Sequence, residues 1–288
     1  MKVVIIGQGV WGKALEHVLK QNTKDVSFWD MKESVIKAEL IVLAVPAQAL
    51  REVLQKLSFA HKDVVVINTS KGIEKDSHLL PFQIVQEVLP RSIAYGSLIG
   101  PSFAGEVTKG MPTLVNIGID EKIDPAILDI FQTPVFHTRV IKGFEALELA
   151  GAFKNIYAIA CGMADGLGFG MNTRIELMML AIDELYDLCH ALGYAVDRYS
   201  MPGTIGDLLL SCSSIESRNY SLGKLLITNS LEESLVKINS TVEGKETAQS
   251  VTYFNDLSPL PLADFVLQAL GAKEGAANLF SAFIAAPK

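Results

Sequence analysis

Lys154 is the residue in this 288-residue chain best placed to do chemistry. It is the one charged residue in LAGAFKNIYAIA (149–160), a stretch with the length and composition of a helix and apolar on nearly every side. At helical spacing Leu147, Gly151, Lys154 and Ala158 share a face built mostly of small residues. Desolvation on such a face favours the neutral amine and suits it to carry protons near neutral pH. The other reading is a lysine whose stem lies along the helix while its head reaches water. Further on, Asp207 and Ser211 stand four apart in GDLLLSCSS (206–214), on one face if that segment is helical. Ser217-Arg218-Asn219 follows, where Arg218 offers a planar fork for an anion. Taken singly, the first pair also fits a polar helix edge and Arg218 a solvated surface charge.

These groups need a frame, and the first half of the chain supplies one. Lys2 to Ile6 has the pattern of a short buried strand, followed directly by Gly7-Gln8-Gly9-Val10-Trp11-Gly12 and then by helical apolar spacing through Ala14, Leu15, Val18 and Leu19. A GxGxxG between strand and helix is the context of dinucleotide binding. Gly7 permits the tight turn, Gly9 admits a pyrophosphate to the backbone, and Gly12 allows close packing of helix on strand. The diphosphate is expected over free N–H groups at the helix start. DVSFWD (25–30) is a second strand ending in Asp30, about 20 residues beyond the glycines, where an acid can accept from both ribose hydroxyls. That leans the cofactor from NADP towards NAD, although Lys32 could meet a phosphate instead.

A shortened piece, Met31 to Ala38, leads to the strand ELIVLAVPA (39–47); Ala49 to Leu57 is helical, and Lys62 to Ser70 is another buried strand. Lys71 follows it, at the carboxyl edge where doubly wound sheets bind ligands. Ile93 to Ile99 and Thr113 to Ile119 read as strands and Pro125 to Phe131 as a helix. From about Gly143 the strand signals fade: a glycine-rich loop is expected over 162–170, then a long helix from about Thr173 to Leu192 stopped by Gly193. The expected fold is therefore α/β, with an N-terminal Rossmann-type doubly wound parallel sheet over 1–142 and a C-terminal all-helical domain over 143–288.

Composition narrows the function classes. The net charge is −7 and no basic stripe is present, which argues against nucleic acid. No apolar run approaches the roughly 18 to 20 residues of a membrane span, and no signal-peptide pattern is read at the start. Cys161, Cys189 and Cys212 are widely spaced, which suits a reducing cytoplasm and no metal site.

The segments GQGVWG (7–12), AVP (44–46), SKGIE (70–74), GPSFAGEV with GMPT (100–113), ELAGAFKNIYAIACGMADGLGFGMNTR (148–174), IGDLLLSC with SRN (205–219) and VEG (242–244) together resemble the NAD(P)-dependent glycerol-3-phosphate dehydrogenase family over almost the whole chain, in order. The resemblance implies an oxidoreductase that interconverts dihydroxyacetone phosphate and sn-glycerol 3-phosphate, feeding glycerophospholipid synthesis. It implies Lys154 as catalytic lysine, Lys71 as second active-site lysine, Asp207 and Ser211 near the substrate, with Asn155 beside them, and Arg218 with Asn219 as phosphate binders. Gly7, Gly9, Val10, Trp11, Gly12, Pro46, Lys71, Ala104, Arg218 and Glu243 become cofactor contacts, beside Asp30. The partners expected are a small phosphorylated substrate and, for assembly, a homodimer. Some tens of residues usual between the second strand and AVP are missing here, Ser211 replaces a threonine, and Leu180 stands where many members have arginine. Two alternatives remain: a related hydroxyacid or ketoacid reductase, and a nucleotide-binding homologue without turnover.

Overall fold

The structure, a computed structural model, describes residues 1–30, 35–59, 64–272 and 276–286. Lys32 and the start of the Lys62–Ser70 segment lie outside the described residues. The chain forms two compact units, the first of 1–71, 79–148 and 197–204, the second of 72–78, 149–196 and 205–288.

The first unit is organised by short runs of β-branched and leucine residues, buried on both faces, which is the pattern of interior parallel strands. β1 (Val3–Ile6) leads through the glycine turn into α1 (Val10–Leu19), whose Ala14, Leu15, Val18 and Leu19 are buried. β2 (Val26–Phe28) lies on one side of β1 and β4 (Leu40–Leu43) on the other, both parallel to it. Between them β3 (Val35–Ile36) pairs with β5 (Ser58–Phe59), which follows α2 (Ala47–Gln55), as a separate small sheet. β6 (Val65–Asn68), α3 (Pro81–Val88), β7 (Ala94–Ile99), α4 (Ala104–Thr108), β8 (Thr113–Ile119) and β9 (Phe136–Lys142) complete the unit. The main sheet runs in the order β2-β1-β4-β6-β7-β8-β9. Among the described residues it ends at β2. Only the 11 residues 29–39 separate β2 from β4, short for a helical crossover and a further strand, which take a dozen or more.

Five strands are parallel, as the alternation of strands and helices implies, but β8 runs antiparallel to β7 and β9 follows β8. A short connection accompanies the reversal. Thirteen residues, 100–112, join β7 to β8, close to the lower limit of a parallel crossover, and the five of α4 are too few for the usual crossover helix. The chain re-enters the sheet from the end at which it left. The helix expected at Pro125–Phe131 is a 3₁₀ helix, capped by Asp124, whose side chain accepts from the Ala126 N–H.

The second unit is helical. α5 (Glu145–Gly166) straddles the division, with Glu145–Glu148 in the first unit and the remainder in the second, where residues 151–164 are buried without a break. It is followed by α6 (Met171–Ala191), α7 (Asp207–Ser213), α8 (Arg218–Leu226), α9 (Leu231–Ile238), α10 (Glu243–Ala248), α11 (Val251–Asn255), α12 (Pro261–Leu270) and α13 (Ala277–Ala285). The glycine-rich loop expected at 162–170 starts later, because Gly162 and Gly166 belong to α5. Both glycines are spacers rather than breakers. A Cβ at Gly162 would fall 1.9 Å from the Tyr220 carbonyl oxygen, and one at Gly166 2.8 Å from that of Lys224. From the other side, a Cβ on Gly223 of α8 would sit 1.9 Å from the Ile159 oxygen. The backbones of α5 and α8 touch because three side chains are missing. Gly162→Ala is therefore expected to lower stability by about 1–3 kcal/mol, seen as a lower urea midpoint, although alanine favours an isolated helix.

Glu184 of α6 is buried and receives the N–H groups of Leu262 and Ala263, capping the first turn of α12. Burial outweighs these bonds and holds its carboxyl at about 7, above the ordinary 4.5. A carboxyl raised on folding contributes stability that is complete below the unfolded value and is lost as pH rises through the folded one. The stability of the wild type relative to Glu184→Gln should thus fall between pH 4.5 and 8, by up to about 3 kcal/mol, in paired denaturation curves.

Candidate active site

The glycine turn of the first unit is shaped for a ligand rather than merely tight. Gly7 adopts φ +118°, and a Cβ on it would lie 2.3 Å from the Ala44 carbonyl oxygen. A Cβ at Gly12 would meet the Gly7 oxygen at 2.0 Å, so α1 can lie this close to the turn only with glycine there. Gly9 has nothing within 4 Å of its Cβ direction, leaving the space in front of the α1 N-terminus open. The first-turn N–H groups have no acceptor within the helix, and no acidic side chain stands among them. An open, donor-lined helix start fits the diphosphate of a dinucleotide. Val10 is exposed at this start. Trp11 turns its ring onto the core, where its indole N–H is buried without a hydrogen-bond partner among the described residues, so its offering to the cradle is the backbone N–H.

Asp30 is exposed just beyond β2, one residue past Trp29, whose N–H still bonds to the Ile5 oxygen. Pro46 caps the start of α2, and Ala104 is the first residue of α4. Lys71 follows β6, and its Nζ lies 3.3 Å from the Gly100 oxygen. The turn before it is closely tied: the Thr69 hydroxyl donates to the Leu43 oxygen at 2.7 Å and the Ser70 hydroxyl to that of Val45 at 2.6 Å.

In the second unit three of the expected residues converge. Lys154 is 7% exposed, and its Nζ donates to Asp207 Oδ1 at 2.6 Å and to Ser211 Oγ at 2.9 Å. Asp207 opens α7 and is 1% exposed, with Ser211 one turn later on the same face. A hydrogen-bonded ammonium–carboxylate pair in a dry interior gives each charge its compensation. The neighbouring Cys212 is held as a thiol, because burial and then Cys161 push it well above its ordinary range. Asn155 faces another network. Its Oδ1 accepts from Asn219 Nδ2 at 2.9 Å, and Asn219 Oδ1 accepts from the Gly244 N–H at 2.9 Å. Asn155 Nδ2 approaches Glu243 Oε2 at 3.4 Å. Gly244 must be glycine here, since a Cβ would fall 2.5 Å from the Asn155 carbonyl oxygen. Arg218 is exposed, its Nη1 donating to Ser240 Oγ at 3.0 Å, while its neighbour Asn219 turns inward.

One polar cluster carries no role in the sequence reading. Glu148 in the first unit is 1% exposed and lies among Asn68, Tyr95 and Ser97. Its signal was an acid six residues before Lys154, beside the apolar run of α5; its partners, distant in sequence, gave none.

The comparisons with known proteins agree with one another. The family model described as NAD-dependent glycerol-3-phosphate dehydrogenase C-terminus matches residues 144–279. Its N-terminal counterpart matches residues 2–37 and 30–123, two pieces that meet where the chain is short. The glycerol-3-phosphate dehydrogenase [NAD(P)+] of Syntrophomonas wolfei is 33% identical over 87% of this chain and 84% of its own. That of Macrococcus caseolyticus is 31% identical over 98% of both. The crystal structure of glycerol-3-phosphate dehydrogenase from Coxiella burnetii superposes with a TM-score of 0.85 at 22% identity, covering 99% of each chain, which is a likeness of fold. On the two family matches and the identities to these relatives, the chain belongs to the NAD-dependent glycerol-3-phosphate dehydrogenase family.

Proposed function

We propose that this protein interconverts dihydroxyacetone phosphate and sn-glycerol 3-phosphate with NAD(P)(H). The observation that carries the reading is the buried Lys154–Asp207–Ser211 set in a chain of this family. When bound, the nicotinamide ring supplies the hydride that reduces the C2 carbonyl, and the protein orients and polarises. Gly7, Gly9 and Gly12, with the N–H groups of Val10 and Trp11, hold the diphosphate. Pro46, Ala104 and Glu243 line the cofactor, and Asp30 accepts from the ribose hydroxyls, favouring NAD over NADP.

Lys154 donates the proton that the carbonyl oxygen takes up as it becomes an alkoxide. Asp207 keeps the amine charged and aimed, opposing the desolvation that would neutralise it. Ser211 fixes a second direction of the amine. Lys71 places another positive charge on the same oxygen. Arg218 takes the phosphate with its planar fork, and Asn219 with Asn155 holds the neighbouring backbone in place. A protein that binds nucleotide without turnover is a second reading, favoured by the end of the sheet at β2, which leaves less structure on the adenosine side. Cofactor binding without reduction is its signature.

Oxidation of NADH by the wild type with dihydroxyacetone phosphate should be readily measured, and Lys154→Ala should lower kcat by about 10²- to 10⁴-fold. No turnover in the wild type, or equal turnover in both, overturns the reading. Side by side, NADH should show the lower KM of the two cofactors. Arg218→Ala should raise KM for dihydroxyacetone phosphate about 10- to 100-fold while leaving the slow reduction of unphosphorylated dihydroxyacetone unchanged. Asp207→Ala strands a buried ammonium and should lower stability by about 3–5 kcal/mol, whereas Lys154→Met with Asp207→Leu should restore most of it in denaturant titrations.

A further inference from the structure

The Glu148 cluster lies directly behind the turn that presents Lys71. Four donors meet this carboxylate. The Tyr95 hydroxyl donates to Oε1 at 2.5 Å, the Ser97 hydroxyl and Asn68 Nδ2 donate to the same oxygen, the latter at 3.3 Å, and the Phe82 N–H donates to Oε2 at 2.8 Å. A carboxyl group in an apolar interior is expensive, and a site that only needed filling would be better served by leucine. The network leads outward through Asn68, the last residue of β6. Asn68 Oδ1 accepts from the Ser70 N–H at 2.9 Å, and Asn68 Nδ2 donates to the Ser70 carbonyl oxygen at 3.1 Å. One side-chain amide thus clamps both backbone groups of the residue before Lys71. Its second amide hydrogen is the one given to Glu148. An asparagine amide has two orientations of almost equal shape, and the wrong one would turn its oxygen onto a carboxyl oxygen that already accepts from the Tyr95 and Ser97 hydroxyls.

We propose that Glu148 is a positioning residue for Lys71, holding the Asn68 amide in the orientation that clamps Ser70 and so setting where the lysine side chain starts. The inference rests on the reading of Lys71 as the cation that polarises the substrate carbonyl. Asn68 transmits the effect, and Tyr95 and Ser97 keep the carboxylate from swinging away from it.

A double-mutant cycle tests this. Glu148→Gln, Asn68→Ala and Lys71→Ala are made singly, and each of the first two is combined with the third. Reduction of dihydroxyacetone phosphate is measured together with NADH affinity by fluorescence, melting temperature and backbone hydrogen exchange. Glu148→Gln and Asn68→Ala should each lower kcat about 10- to 100-fold in the parent, as misplacement of a catalytic group does, and less than about 2-fold in the Lys71→Ala background. NADH affinity should hold, and exchange at residues 69–71 should quicken while that of β1 does not. Equal losses in both backgrounds, unchanged exchange at 69–71, or a loss that follows NADH affinity overturns the positioning role. If Glu148→Gln melts below the assay temperature, Asn68→Ala carries the same cycle. Lys71→Ala with wild-type kcat refutes the role of Lys71 itself, a result separate from the behaviour of Glu148.

Discussion

A charged amine inside an apolar helix is tolerable only where an opposite charge comes within hydrogen-bonding distance. That requirement shapes much of the second unit. α5 is buried on all sides around Lys154, so water does not solvate the ammonium and Asp207 must do so at 2.6 Å. The carboxylate must then stand on a rigid element of fixed register. α7 begins at Asp207, straight after a single π-helical turn at Pro202–Gly206, and Ser211 reaches the same amine one turn later. α8 closes on α5 through glycines, which brings Asn219 against Asn155. A bulky residue at Gly162 would disturb this chemistry without touching it.

The buried acids solve the same desolvation problem in two ways. Asp207 has a cation. Glu184 and Glu148 have only neutral donors, and burial holds both at about 7 despite those bonds. Tyr95, in contact with Glu148, is pushed well above its ordinary range by burial and then by that carboxyl, so it remains a donor. Neutral networks of this kind place backbone accurately without bringing a second charge into the interior. That suits α12, which Glu184 caps, and the β6 turn, which Asn68 ties together.

What could be read from the sequence was whatever depends on neighbours along the chain. The valine–isoleucine–leucine runs of β1, β4 and β6 are strands because their composition admits little else, and the glycines at 7, 9 and 12 carry their meaning in their spacing. Asp207 and Ser211 share a face because four residues make about one turn. Features fixed by distant partners were hidden. Gly162 reads as a loop residue until the Tyr220 backbone is found against it. The direction of β8 is set by its pairing with β7, and the helix at Pro125–Phe131 winds more tightly than its composition suggests. Glu148 has no motif at all, since its partners lie 51 to 80 residues away.

Among the described residues the main sheet ends at β2 and at β9, and the rim of a sheet is where strands of other chains can add. β2 is three residues long, with exposed charges at Lys24, Asp25 and Asp30 around it. β9 is half-buried or exposed beyond Phe136 and carries Arg139 and exposed Lys142. Short length at one rim and cations at the other oppose the growth of intermolecular β-structure. Crowded solutions of this protein therefore have little route to fibrils through its native sheet, and clumping on heating should begin with the melting of a unit.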